Sequence, residues 1–358
     1  MGKVFEQKCP SCGAPLQFDP ERGKLVCRNC GSIQDIPEDS DKVEEVSLDG
    51  LDFTALTEQA TDEAAQALPV YNCVSCGAEV IAPAEQIATT CPYCGNNIVL
   101  TDKVTGKLRP DALIPFHIDA KQLPDALQKF YKGKALLPKN FFSESSLSKV
   151  TGVYVPFWVF GGRLDGMLRF QGTTSSTSRQ GDYLVTHTRH YQLRRNVDLS
   201  FRNVPVDASG RIADDLMDSL EPFDISDARP FDMRYLAGFT ADRFDQAKGD
   251  MAERAKSRMI ASAECAAKST LYGYSGVYRT GGSLRAQLHA QYMLLPVYLF
   301  SILYGGKSYD FAVNGQTGKV VGTLPVSRSV SMRYFLLRMA AASAAVAAVF
   351  VAKYMMGA

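Results

Sequence analysis

The chain is poor in histidine, with four in 358 residues: His117, His187, His190 and His289. None stands in a Ser/His/Asp or Cys/His setting that marks a nucleophile and its base. Carboxylates are plentiful, but no spacing pairs two of them for acid–base work. A complete phosphate-binding loop is also lacking. Gly305-Gly306-Lys307-Ser308 matches its end, but the place of the loop's first glycine is taken by Ser301. The flanks read as strand–turn–strand, so no helix N-terminus would follow to meet phosphate. The opening residues MGKVFEQKCP hold no apolar stretch, and no secretory leader is expected. Glu6 stands where N-myristoylation wants Ser or Thr.

Positive charge is scarce in the first 108 residues, which carry 8 Lys/Arg against 17 Asp/Glu, a balance of −9. Residues 109–358 carry the remaining 31 and 21, a balance of +10, and the two sum to the formal +1. Binding a nucleic-acid backbone needs a cationic surface. The acidic N-terminal part lacks one, which argues against nucleic acid as its partner.

Cysteine is present in a repeated pattern. Cys9-Pro-Ser-Cys12 is followed after fourteen residues by Cys27-Arg-Asn-Cys30. Cys73-Val-Ser-Cys76 is followed after another fourteen by Cys91-Pro-Tyr-Cys94. Glycine trails each pair, at Gly13, Gly31, Gly77 and Gly95. The spacing suits a tetrahedral Zn²⁺ held by two knuckles, with glycine supplying the positive φ of the tight turn. Two Cys₄ zinc ribbons are expected, with Cys9, Cys12, Cys27 and Cys30 on one ion and Cys73, Cys76, Cys91 and Cys94 on the other. Four thiolates fill the coordination sphere, so both ions are structural, and metal supplies folding energy to segments with little apolar sequence. A redox reading of Cys91-Pro-Tyr-Cys94 would strand Cys73 and Cys76. Eight metal-binding thiols point to a reducing compartment. The ninth cysteine, Cys265, is expected to be a small buried residue on a helix.

Five segments follow. Residues 1–36 and 70–108 are the ribbons, offset by 64 from Cys9 to Cys73, and 37–69 is an acidic linker. Residues 109–326 form a larger α+β domain. It has an amphipathic segment from Ala120 to Lys132 and a buried strand over Gly152–Phe160. Strands over 166–204 are expected to be joined by a polar loop at Thr173–Gln180. A helix is expected from Ala241 to Lys268, with an apolar stripe at Phe244, Ala247, Met251, Ala255 and Met259. Next come a strand over Tyr292–Leu303 and a hairpin at Asn314-Gly315-Gln316-Thr317-Gly318. Val155-Pro156-Phe157-Trp158-Val159-Phe160 is echoed by Leu295-Pro296-Val297-Tyr298-Leu299-Phe300, which predicts two related halves. His187 and His190, three apart on a strand, point to opposite faces. Their basic stretch reads as a polar edge strand or as a contact for an anion, lipid headgroup or acidic partner.

The last segment, 327–358, carries the apolar run Phe335–Met356. Its fourteen uncharged residues between Arg338 and Lys353 cover about 21 Å, and the full 22 about 33 Å, against a hydrocarbon core of about 30 Å. Arg328, Arg333 and Arg338 precede it, which predicts a tail anchor with the bulk of the protein on the cytoplasmic side. The alternative is a C-terminal helix packed on protein.

The ribbons, Leu113-Ile114-Pro115-Phe116, Gly152-Val153-Tyr154-Val155-Pro156-Phe157-Trp158 and Asn314 through Gly322, in that order, carry a resemblance over residues 70–326. The chain resembles bacterial TFIIB-type zinc-ribbon-containing proteins, whose homologues are often mislabelled as the replication-restart helicase PriA. The resemblance implies a membrane-associated, non-catalytic protein without a small-molecule substrate. It also implies protein partners, since some relatives are encoded beside PspA-like and SPFH-family proteins of envelope-stress systems. The expected function is a membrane-tethered adaptor. A nucleic-acid-binding ribbon protein and an enzyme seated in the α+β domain stand as alternatives.

Overall fold

The computed structural model describes residues 4–5, 7–36, 70–73, 79–81, 86–90, 97–100, 109–138, 141, 150–246, 248–304 and 307–355. The acidic segment 37–69 and Cys76, Cys91 and Cys94 lie outside these residues.

The N-terminal strands are β1 (Val4–Phe5), β2 (Leu16–Asp19), β3 (Lys24–Cys27) and β4 (Ile33–Gln34), followed by β5 (Val70–Asn72), β6 (Glu79–Ile81), β7 (Gln86–Thr90) and β8 (Asn97–Leu100). The body runs β9 (Ala112–Leu113), α1 (Leu123–Tyr131), β10 (Thr151–Gln180), β11 (Tyr183–Asp207), α2 (Asp214–Leu220), β12 (Arg229–Pro230) and β13 (Thr240–Asp242). It continues through α3 (Lys248–Ser269), β14 (Ser275–Tyr304), β15 (Lys307–Asn314) and β16 (Val320–Gly322), and α4 (Arg328–Met355) closes the chain. The architecture is α+β, as the sequence predicts.

The body is one β–α–β–β plan used twice. Half one is β9, α1, β10 and β11; half two is β13, α3, β14 and β15. The echoed motifs lie side by side, because β10 and β14 pair antiparallel with Val155 opposite Leu295 and Tyr154 opposite Pro296. The short first strands are exchanged. β13 runs parallel to β10 at Val153 and Tyr154, and β9 runs parallel to β14 at Met293 and Leu294. Each exchanged strand thus sits at the matching place, 140 residues apart on the long strands (153 and 293).

Alternation along β10 builds two cores. Tyr154, Trp158, Phe160, Leu164, Leu168 and Phe170 share a cluster with the α3 stripe Met251, Ala255, Met259, Ala263 and Ala267. Val153, Val155, Phe157 and Val159 form the other core with Met217, Leu220 and Phe223 around α2. Burying one such side chain stabilises by roughly 1.5–3 kcal/mol. Ion pairs tie α3 to α2: Arg254 meets Asp214 and Asp218 at 2.8 Å, and Arg258 meets Glu221 at 2.7 Å. Arg195 caps the far end of α3, donating from Nε to Thr270 Oγ1 at 2.8 Å, where a cation also suits the helix dipole. Asp207, where β11 ends, is fully buried, and burial first, with Asp214 nearby, raises its carboxyl to about 7.

Several expectations need correction. Thr173–Gln180 is strand, not loop. Its hydroxyls pair across the ladder, Ser175 with Thr188 at 3.1 Å and Thr177 with Thr186 at 3.0 Å, and β-branched threonine favours the pleat. The reversal comes at Gly181-Asp182, a two-residue turn with φ of +63° at Gly181. The long helix begins at Lys248 because Thr240–Asp242 is taken by the sheet, and its stripe continues to Ala267. The strand expected at Tyr292 begins at Ser275. Cys265 lies on α3 but faces solvent, away from the stripe.

Candidate metal centre

The first ribbon assembles its four thiols. The sulfurs of Cys9, Cys12, Cys27 and Cys30 all lie within 4.8 Å of one another, with Cys9–Cys30 and Cys12–Cys27 at 3.5 Å. A tetrahedral Zn–S bond of about 2.3 Å sets sulfurs about 3.8 Å apart, so the set fits such an ion. Both knuckles close as the spacing predicts. Gly13 N–H donates to Cys9 O at 2.8 Å and Gly31 N–H to Cys27 O at 2.9 Å. Gly13 and Gly31 take φ of +72° and +76°, a region costly to a side chain.

Neighbours favour thiolates unevenly. Burial opposes the Cys9 thiolate, but the backbone N–H groups of Ser11 and Cys12 outweigh it and bring the thiol down to about 6. Although the N–H of Cys30 points at Cys27, burial and the thiols beside it hold Cys27 up at about 11. Asn29 Nδ2 donates to Cys12 Sγ at 3.6 Å, and Ser32 lies 3.0 Å from Cys30 Sγ. Outer partners of this kind orient ligands and spread their charge.

The ribbon is fastened to the body. Leu16, Phe18 and Leu25, with Cys9 and Cys27, belong to the main core. Phe18 N–H donates to Ala237 O at 2.9 Å, and its ring packs edge-on to Tyr235 at 5.2 Å and tilted to Phe239 at 6.5 Å. Of the second set, the structure places Cys73, buried beside Tyr71, Val80, Ile98 and Leu100. The hairpin of the second ribbon is built into the main sheet. β7 pairs with β13 at Ala88–Ala241, and β8 pairs with β1 at Leu100–Val4. The sheet therefore crosses the sequence boundary drawn at residue 108. Among the described residues the first ribbon's thiols form the one group able to hold a metal ion.

At the other end, α4 is 28 residues long, about 42 Å at 1.5 Å per residue. Val330–Val349 is long and apolar enough to cross a bilayer, and the helix is exposed from Met332 to Val349. Arg338, eight residues inside that span, donates to Tyr334 OH at 2.6 Å and lies 5.0 Å over its ring, one turn toward the N-terminal end. His187 and His190 fall on opposite faces of β11, opposite Ser176 and Thr173 of β10, and among the described residues β11 has no second partner strand.

A four-thiol knuckle pair seated on an α+β body that ends in a bilayer-length apolar helix defines a zinc-ribbon-like protein with a candidate membrane anchor. A family model described as Trm112p-like protein matches residues 8–33, the span of the cysteine cluster. The chain is 33% identical over 333 residues, 93% of each chain, to the uncharacterized protein YdjG of Bacillus subtilis (strain 168). It belongs to the YdjG family. No solved structure matches it.

Proposed function

We propose that the chain is a non-catalytic adaptor tethered to the cytoplasmic membrane, with two structural Zn²⁺ ions and a cytoplasmic body that docks protein partners. The observation that carries this reading is the contrast between the two ends. The first ribbon is locked to the body by Phe18, whereas α4 exposes apolar side chains on every side. A helix apolar all round is stable where lipid or protein surrounds it. A Cys₄ site has no open position for substrate, so the ribbons serve as rigid surfaces. PspA-like or SPFH-family proteins are the partners the sequence resemblance suggests.

Ending the chain at Val330 tests the anchor. The shortened protein should leave the membrane fraction and keep its fold and metal. Aggregation of a misfolded product would instead make α4 part of the core. A pull-down from solubilised membranes with the metal sites intact tests the adaptor role. A specific protein recovered with the full chain supports it, and its absence under gentle solubilisation counts against it.

A further inference from the structure

Beyond the body, β10 and β11 continue as an arm. β14 accompanies β10 as far as Thr173, and the last seven residues of β10 pair with β11 alone, a two-stranded ribbon about 23 Å long at 3.3 Å per residue. The arm's two faces differ. α3 covers the even-numbered face of β10 at Leu164, Leu168 and Phe170, whereas the odd-numbered face is exposed or half-exposed from Arg163 outward. At its base this open face balances its charge: Arg163 pairs with Asp198 at 2.5 Å and Arg285 with Asp165 at 3.1 Å. Further out, the balance ends. Residues 166–195 contain five arginines, of which Arg169, Arg179 and Arg194 fall on the open face, and a single acid, Asp182, which lies in the terminal turn. Arg169 stands directly opposite Arg194, both exposed, and neither has an ion-pair partner among the described residues. Like charges facing each other across a ladder destabilise it, so the free protein keeps this pair at a cost. The same face carries Tyr278, half exposed opposite Gln171, and ends in Arg179 opposite Leu184, which is 78% exposed. Arginines leading to an aromatic and an aliphatic tip match a headgroup layer: phosphates for the cations, the acyl boundary for the tip.

We propose that the open face of this arm is a second membrane contact, binding anionic lipid headgroups through Arg169 and Arg194 and seating Leu184 at the bilayer surface. The inference rests on the anchor reading above, which keeps lipid at high local concentration so that a weak patch suffices. The five residues Thr323–Ser327 between β16 and α4 form neither helix nor strand, and they stay on the body, with Pro325 buried and the Ser327 N–H donating to Leu136 O at 2.9 Å, so α4 leaves from a fixed point of the body. A second copy of the arm is excluded as occupant by the like charge it would bring.

The test uses the full chain with Cys265→Ser and Leu184→Cys, labelled at position 184 with an environment-sensitive dye and inserted into nanodiscs. Discs of neutral lipid are compared with discs containing about one-third phosphatidylglycerol. The expected result is blue-shifted emission and quenching by lipid-borne quenchers in the anionic discs, lost in ~0.5 M salt. Arg169→Gln/Arg194→Gln should weaken the lipid-dependent shift by roughly tenfold while metal content and circular dichroism stay unchanged. Equal signals in both discs overturn the proposal. So does duplex DNA or polyglutamate shifting the dye in neutral discs, which would make the occupant a polyanion other than lipid. A chain that stays soluble and refuses the discs sinks the anchor reading alone. The dye is then read against added vesicles of the same two compositions, where a dependence on lipid charge still sustains the arm contact and its absence overturns it.

Discussion

Phe116 and Phe244 occupy matching places in the two halves, three residues past Leu113 and Ala241, the equivalent pairing positions of the exchanged strands, yet their surroundings are sealed by different chemistry. Phe116 sits in a cage of rings: Phe239 is stacked on it at 4.1 Å, with Tyr154 at 5.0 Å and Tyr298 at 4.8 Å. The first ribbon closes that cage through Phe18. Phe244 meets Trp158, the counterpart of Tyr298, at 5.2 Å and Tyr292 at 5.1 Å. Here the cover is a cation, Lys248 Nζ, 5.0 Å over the Trp158 ring. Burial lowers the Lys248 pKa and raises that of Asp111, and the two charges offset each other in part. A duplicated plan thus kept its backbone pairing while its two cages diverged. One is covered by the four-thiol ribbon, the other by the N-terminus of α3.

The comparison can be broken in four ways, from the largest effect down. Removing ribbon ligation with Cys12→Ser should abolish metal binding at the first site, where binding energies of ~10 kcal/mol or more are at stake, and expose the Phe116 cage. The only tryptophan, Trp158, reports on the other cage, so its emission should stay where it is; a shift would show that the two cages are not independent. Phe116→Ala should cost about 3–5 kcal/mol, measured by chemical denaturation. A loss under 1 kcal/mol would mean that the cage is not a core. Asp207→Asn comes next. The carboxyl is held near 7 when folded against 3.8 as reference, so between those pH values the folded chain keeps a proton that the unfolded chain has lost. Stability should therefore fall as pH rises from about 4 to about 7 and level off above, with a ceiling of about 4 kcal/mol. The asparagine variant should flatten that slope and be the more stable of the two at about pH 8. Parallel pH profiles for the two proteins would refute the burial argument. Smallest, Lys248→Met should cost about 0.5–2 kcal/mol through the lost cation–π contact, with no change in metal content.

Where the chain's pattern was simple, it could be read directly. The cysteine spacing and trailing glycines yielded the knuckles at Cys9–Gly13 and Cys27–Gly31. The echo of Val155–Phe160 in Leu295–Phe300 yielded the two halves. What could not be read depended on partners far along the chain. Thr173–Gln180 resembles a loop in composition, and only the opposing hydroxyls of β11 make it strand. Thr240–Asp242 fits the start of a helix until β10 claims it for the sheet. By residue type Cys265 belongs inside, but on a helix the phase against Ala263 and Ala267 decides burial, and it is out of phase. The fastening of the first ribbon left no periodic trace, since it runs through single contacts such as the Phe18 ring on Tyr235 and the Phe18 backbone bond to Ala237. Asp207 and the Trp158–Lys248 contact were missed for the same reason, because single residues acquire meaning only from the surface that closes over them.

The exchange of first strands also sets a timetable for synthesis. β10 is complete once residue 180 has left the ribosome, but its parallel neighbour arrives at residues 240–241 and its antiparallel neighbour over 275–299. Near 5–20 residues per second, the wait is of order 10 s. Through that interval β10 can pair only with β11, and the hydrophobic edge of the nascent half must be shielded by something other than its own fold. Helix α4 is made last, after every strand of the sheet.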